Sequence, residues 1–303
     1  MSDLLSWWSR FHGCSGDSRL EDLQWAILTR LATDRMRFSE VFEPSCSQDG
    51  GGWHFWRFSY AFPDFRDDPD SASRDLLAVC RPFGEELCDL VSMLLSPVLE
   101  PPVCQPLVGV AYNTPTSWRI KVYLQFEDDA GDEPLHIAAR LTGRTDLRRL
   151  FRKQRLHLVG IDLGPRGIVA AKLYFLQPEI PALDVPRVVG PVELIAHLTA
   201  AGVDTVRNLL VIHRMQRYDD SALEFPVEVD FALLDNDLCW EAVSGSRTLR
   251  ATLGGTNPLT ALESCFPVAV RRVSVSVGRM DKLTMYYVPT EIDTELPDGL
   301  PGC

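Results

Sequence analysis

The sequence predicts an α+β fold: a single ten-stranded antiparallel β-barrel surrounded by α-helices and assembled from five helix-strand-strand (αββ) units. Two observations carry that expectation, and a third says what the barrel holds. A helical pattern followed by two strand patterns recurs five times, each time in roughly 50 to 60 residues. Successive hairpins separated by helices let the strands close on themselves, which removes exposed edges and leaves the helices outside. The third observation is the stretch Arg119 to Phe126, which at period two puts Arg119, Lys121, Tyr123 and Gln125 on one face and Ile120, Val122, Leu124 and Phe126 on the other. The apolar face suits packing against helices. The basic and aromatic face suits a chamber that binds an anion beside something apolar, and ten strands enclose more space than side chains readily fill. The same signature returns at Lys172-Leu173-Tyr174-Phe175 and, more loosely, from Lys282 to Tyr286.

Taken in order, the first unit opens on the capping box Ser18-Arg19-Leu20-Glu21, after which Leu20, Leu23, Ile27, Leu28 and Leu31 share a helical face to about Thr33. Its strands are expected at Arg37 to Glu43 and Trp53 to Phe62, joined through Gly50-Gly51-Gly52. The second unit has a helix within Ser73 to Leu95, interrupted near Pro82, and strands Leu107 to Tyr112 and Trp118 to Phe126. In the third, helical pattern between Leu135 and Phe151 is interrupted at Gly143, and the hairpin runs from Arg155 to Leu163 and Ile168 to Leu176. A fourth helix opens at Pro191 and stops at Gly202, followed by strands Val206 to Gln216 and Pro226 to Leu234. Helical segments between Asn236 and Cys265 and strands Val268 to Val277 and Lys282 to Pro289 complete the fifth unit. All 303 residues are read as one domain, with a short flexible tail from about residue 291.

Composition narrows the function classes. With 46% hydrophobic and 24% charged residues the chain reads as globular, and its longest apolar runs are too short to span a bilayer. A net charge of −12 argues against nucleic acid as a partner while leaving room for a local basic pocket. No basic segment followed by an apolar core opens the chain, and the eight cysteines lack metal or disulfide spacing, so a cytoplasmic protein with reduced thiols is expected. No hydrolase elbow, zinc protease, nucleoside-triphosphatase or dinucleotide motif occurs.

The residues Trp56-Arg57-Phe58, Ile120-Lys121-Val122-Tyr123, Leu158 to Leu163 leading to Ala171-Lys172-Leu173-Tyr174, and Leu283-Thr284-Met285-Tyr286-Tyr287 give the chain its resemblance to a family. In pattern and order over most of its length it resembles the ABBA, or αββα-barrel, prenyltransferases, and among them the compact cyanobactin peptide prenyltransferases. The resemblance implies transfer of a dimethylallyl or geranyl group from its diphosphate to an electron-rich side chain of a cyclic peptide natural product. A small aromatic metabolite is the alternative acceptor, and a non-catalytic barrel that binds an apolar or phosphorylated ligand is the alternative class. It also implies magnesium as the cofactor, bridging diphosphate and acids.

Departure of diphosphate leaves an allylic cation, so such a site needs fixed positive charge at the leaving group and aromatic faces beside the cation. The resemblance assigns the diphosphate to Arg57, Lys121, Lys172 and Lys282, with His213 and Arg217 from the fourth unit, and the shielding to Tyr123, Tyr174 and Tyr286. The catalytic acid of the family lies on the first strand. Here Glu40 is the choice and Glu43 the rival, on opposite parity, so only one should face the chamber. No protein ligand to a metal is assigned.

Other features have plain readings beside functional ones. Asp67-Asp68-Pro69-Asp70 resembles an aspartate-rich magnesium motif, but Pro69 reads it as a solvated loop, as do the acids from Glu127 to Glu133. Glu228 and Asp230 share a strand face and are either acceptor-facing acids or a solvated rim; His213 is a phosphate contact or a structural histidine. Trp53 and Trp118 are the tryptophans to examine for acceptor contact.

Overall fold

A computed structural model of the chain describes residues 18–33, 42–49, 52–62, 68–94, 103–114, 117–127, 130–164, 167–215, 226–232, 268–278 and 282–289. The first unit is α1 (Ser18–Thr33), β1 (Phe42–Asp49) and β2 (Gly52–Ala61). The second is α2 (Pro69–Cys80), a 3₁₀ turn at Arg81–Phe83, α3 (Glu85–Leu94), β3 (Val103–Thr114) and β4 (Ser117–Phe126). The third is α4 (Glu133–Thr142), α5 (Leu147–Leu150), β5 (Leu156–Gly164) and β6 (Gly167–Pro181). Then come α6 (Val185–Val189), α7 (Glu193–Ala200), β7 (Thr205–Met215) and β8 (Glu228–Ala232), and finally β9 (Val268–Ser276) and β10 (Leu283–Pro289). The ten strands form one closed barrel in which each strand pairs with its sequence neighbours and β1 pairs with β10. The expected architecture is therefore present.

The pleat explains both faces of the wall. Outward-pointing Ile120, Val122, Leu124 and Phe126 of β4 join Leu20, Leu23 and Ile27 of α1, Leu87 and Val91 of α3, and Leu194 and Leu198 of α7 in one continuous core. Each such side chain contributes about 1.5–3 kcal/mol when fully buried, so helix docking is driven from the outer face of the barrel. Inward-pointing Tyr123, Tyr174, Leu210 and Ile212 form a second, separate apolar cluster. Two cores of this kind follow when a strand is apolar outside and mixed inside. Among the described residues, no helix is long and apolar enough to cross a membrane.

Several boundaries differ from expectation. The first described strand is Phe42–Asp49, which shares Phe42 and Glu43 with the expected Arg37 to Glu43 and runs on past it, while residues 37–41 lie outside the described residues. Within it, Pro44 lies outside the stretch that pairs with β10, and a bulge falls between Ser45 and Ser47. The expected acidic loop before the second unit is in part a helix start. Pro69 opens α2, and the Asp68 side chain caps it by accepting from Ser71 N at 3.0 Å. Gly143 ends α4 in the left-handed conformation, φ 73°, which accounts for the interruption there. The helical segments expected between residues 236 and 265, the tail from 291, and Glu40 and Arg217 lie outside the described residues.

Candidate active site

The interior of the barrel is layered, and the layering can be read along each strand. On β4, Lys121 stands nearer the β3–β4 hairpin end than Tyr123; on β6, Lys172 stands nearer the β5–β6 hairpin end than Tyr174. Arg57 on β2 and Lys282, the residue before β10, are placed the same way. Every hairpin end lies on the same side of the barrel, because each pair within a unit is joined there and the helices connect at the other side. The cations thus gather at the hairpin end, with the tyrosines inward of them.

Beyond the tyrosines, toward the helix-connected end, lies a cavity of about 290 Å³. Its walls combine Tyr123, Tyr174 and Tyr286 with apolar Leu107, Leu158 and Leu210. Polar groups enter from Ser59, Gln105, Gln125 and His157, and charges from Glu43, Asp230, Arg271 and Arg272. Tyr123 and Tyr174 meet edge to face with ring centroids 6.0 Å apart. The Tyr123 ring fits over two glycines on the flanking strands: a Cβ on Gly160 would come 2.8 Å from the ring, and one on Gly109 would come 3.2 Å from it. Neither glycine is there for a turn; both make room for the tyrosine.

The cationic layer is buried and strongly coupled. Arg57, Lys121 and Lys172 are all less than one-tenth exposed. Lys121 pairs across the sheet with Asp162, which also receives Arg119 Nη1 at 3.5 Å. Burial drives the Lys121 ammonium well below its usual range, and Arg57, Lys172 and Lys282 push it further in the same direction, against Asp162. Glu228 spans two of the lysines, accepting from Lys172 Nζ and Lys282 Nζ at 2.9 Å each. Burial would raise its carboxyl, but the two lysines outweigh burial and hold it well below the carboxylate range. Asp162 shows the same balance, with Lys121, Lys172 and Arg119 keeping it low despite complete burial.

A second charged group belongs to the cavity. Arg272 donates from Nη2 to Glu43 Oε2 at 2.9 Å, lies over the Tyr286 ring at 4.6 Å, and approaches Asp230 Oδ1 with Nε at 3.6 Å. The tyrosine hydroxyls are held un-ionised, since burial raises Tyr123 and Tyr174 well above their usual range.

The structure thus brings together Arg57, Lys121, Lys172 and Lys282 and sets Tyr123, Tyr174 and Tyr286 between them and the cavity. It does not bring His213. That residue pairs with outward-facing Leu173 and packs edge-on against Phe151 and Phe175, with ring centroids 4.9 and 5.6 Å away, so it belongs to the outer core and has no path to a chamber ligand. Its neighbour Arg214 stands directly across from Lys172 and shares its inward face. Parity on β7 would have chosen it. Asp162 and Arg272 were also missed; both alternate with outward valines or isoleucines, a signal present in the sequence. Trp118 is likewise outward, against Phe83 at 5.8 Å and under Arg19 at 5.2 Å, and not an acceptor contact. Of the first-strand acids, Glu43 lines the cavity.

The donor set bears on magnesium. Among the described residues no three His, Cys, Asp or Glu side chains gather to hold a metal ion. The two carboxylates at the hairpin end, Asp162 and Glu228, are each committed to cations. Among the described residues the carboxylates at the hairpin end thus offer no set to hold a magnesium ion, while Lys and Arg supply charge that a diphosphate would need.

No family model matches the chain, and neither does any curated protein sequence. Solved structures do match. The chain is similar to 5-dimethylallyltryptophan synthase from Streptomyces coelicolor, at 16% identity over 96% of this chain and 97% of that one, with a TM-score of 0.64. It is similar to the prenyltransferase PriB, solved as a ternary complex with L-tryptophan and dimethylallyl thiolodiphosphate, at 16% identity, 99% and 98% coverage and a TM-score of 0.66. A third match is 6-dimethylallyltryptophan synthase from Micromonospora olivasterospora, at 18% identity, 85% and 84% coverage and a TM-score of 0.59. The fold is therefore that of the ABBA prenyltransferases, spanning 84–98% of these structures.

Proposed function

We propose that this chain is a prenyltransferase that moves an isoprenyl group, dimethylallyl or geranyl, from its diphosphate to an electron-rich aromatic acceptor. One observation carries the reading: three buried cations, Arg57, Lys121 and Lys172, and the partly exposed Lys282 converge at one end of a closed barrel, and tyrosines separate them from a cavity with apolar walls. The diphosphate takes the place now held by Glu228 between Lys172 and Lys282, with Arg57 and Lys121 completing the cradle. A buried ammonium whose charge is disfavoured, as at Lys121, becomes fully charged when the diphosphate arrives, so binding strengthens the electrostatic grip on the leaving group. As the C–O bond breaks, the electron pair stays on diphosphate, and Tyr123 and Tyr174 present ring density to the allylic cation. The closed wall excludes water that would otherwise trap it.

For the acceptor, two readings stand. The L-tryptophan bound in PriB favours a free aromatic molecule. The resemblance to the cyanobactin enzymes favours an aromatic side chain of a peptide, entering from the helix-connected end. On the first strand, Glu40 or Glu43 would orient that acceptor; Glu43 is the one that lines the cavity. A cytoplasmic location belongs to the same proposal and rests on cysteines without metal or disulfide spacing. The test is mass spectrometry after incubation with dimethylallyl or geranyl diphosphate and a panel of indoles, phenols and peptides. Gain of one isoprenyl group on any acceptor supports the reading; donor binding without transfer supports a binding barrel instead.

A further inference from the structure

The mechanism so far leaves the proton unplaced. Bond formation at an aromatic carbon creates a cationic ring that must lose a proton, and the cavity wall offers three candidate acceptors: Glu43, His157 and Asp230. They differ in what surrounds them. Glu43 is held by the short contact from Arg272. His157 has an unpartnered buried Nδ1, but protonation would create charge where burial, Arg155 and Arg272 already disfavour it. Asp230, on β8 and 2% exposed, has a buried Oδ1 that accepts no hydrogen bond, and Arg272 Nε at 3.6 Å is too far to donate one. Taking up a proton would neutralise this carboxylate, which burial favours.

We infer that Asp230 is the base that removes the proton from the alkylated acceptor, an inference that rests on the transferase reading. The step balances. The C–O bond of the donor breaks with its electron pair left on diphosphate, and the acceptor π pair forms the new C–C bond. The C–H pair of the substituted carbon then returns to the ring, and the proton goes to an Asp230 oxygen. The charged and titratable groups facing Asp230 are Arg272 on β9, Glu43 on β1, Glu228 on β8, Lys172 on β6 and Tyr286 on β10. Burial dominates and Glu43 and Glu228 add to it, over the opposing Arg272 and Lys172, so the carboxyl is pushed up to about 7. A base of that strength is matched to neutral pH.

The test compares wild type with Asp230→Asn, using dimethylallyl diphosphate and the best acceptor in light form and deuterated at the alkylated carbon. The expected result is a fall in kcat of about 10²–10⁴-fold. Affinity for dimethylallyl thiolodiphosphate should stay within about twofold, and a primary isotope effect should appear in the variant as deprotonation becomes limiting. Transfer within about threefold of wild type, or a loss matched by lost analogue binding, overturns the inference while leaving the transferase reading intact. A wild type that alkylates nothing overturns both. The wild-type pH profile is an independent readout that needs no variant. kcat should rise with pH through about 7 to a plateau, and a flat profile from about pH 5 to 8 contradicts the role.

Discussion

The ring of Tyr123 occupies the space where Gly160 lacks a side chain, with 2.8 Å between the ring and the position a Cβ would take. The pair couples neighbouring strands, since Tyr123 and Gly160 are register partners on β4 and β5. A lysine two residues before the tyrosine points to the cationic layer. The strand thus delivers a cation and an aromatic ring together, and the glycine fixes how deep the ring lies.

Gly160→Ala would set a methyl group against both rings, 2.8 Å from Tyr123 and 3.4 Å from Tyr174, and should therefore push the Tyr123 ring away from β5. Overpacking of this kind costs about 1–3 kcal/mol, read as a lowered midpoint in urea. Pyrophosphate affinity by calorimetry should change less than about twofold, while the ratio of transferred to hydrolysed donor falls. An unchanged ratio would separate Tyr123 from cation shielding.

Glu228 occupies Lys172 and Lys282, two lysines of the proposed diphosphate cradle. Glu228→Gln removes a negative charge from the cradle and should tighten pyrophosphate binding by about tenfold, roughly 1.4 kcal/mol. The ligand-free protein should lose stability, because Lys172 is left buried without its counter-ion, at a cost of about 3–5 kcal/mol. Weaker pyrophosphate binding in the variant would place the diphosphate elsewhere.

The two acids of β8 give opposite pH dependences. Asp230 is raised in the folded state to about 7 from 3.8, so its contribution is fully present below about pH 4 and is lost as pH rises toward 7. Glu228 is depressed below 4.5, so its contribution is present above that value and is lost as pH falls. Urea titrations from about pH 3 to 8 should show Asp230→Asn flattening the neutral side, by an amount on the order of 2–4 kcal/mol, and Glu228→Gln flattening the acid side.

Chelation tests the donor set. With Lys and Arg supplying the positive charge, transfer in excess EDTA should stay within about threefold of transfer with magnesium added. Abolition by EDTA with restoration by magnesium would show that an ion carried on the diphosphate is indispensable.

The barrel was legible because its signals are periodic: alternation on β4, β6 and β10 shows which residues face inward, and five repeats imply closure. Lys121, Lys172 and Tyr123 were found that way. His213 was not, because a histidine in an otherwise apolar strand attracts a functional reading, while its parity with Leu209 and Val211 placed it outward. Near the start of β7, Asn208 has φ 49° and the register with β8 shifts between Arg207 and Leu210, so counting from the strand start gives the wrong face. Glu228 as a lysine bridge was not legible: it lies 56 residues from Lys172 and 54 from Lys282, and only the strand order that sets β8 two strands from both β6 and β10 brings them together. The extension of the first strand to Asp49 was not legible because Pro44, Ser45 and Ser47 carry no alternating apolar pattern.

The most direct test of the central claim is a crystal structure with dimethylallyl thiolodiphosphate bound. The expected result is diphosphate density among Arg57, Lys121, Lys172 and Lys282, the Glu228 carboxylate displaced from at least one lysine, and the allyl carbons against Tyr123 and Tyr174. Density at any other place in the barrel, or an empty cationic layer at saturating analogue, would contradict it.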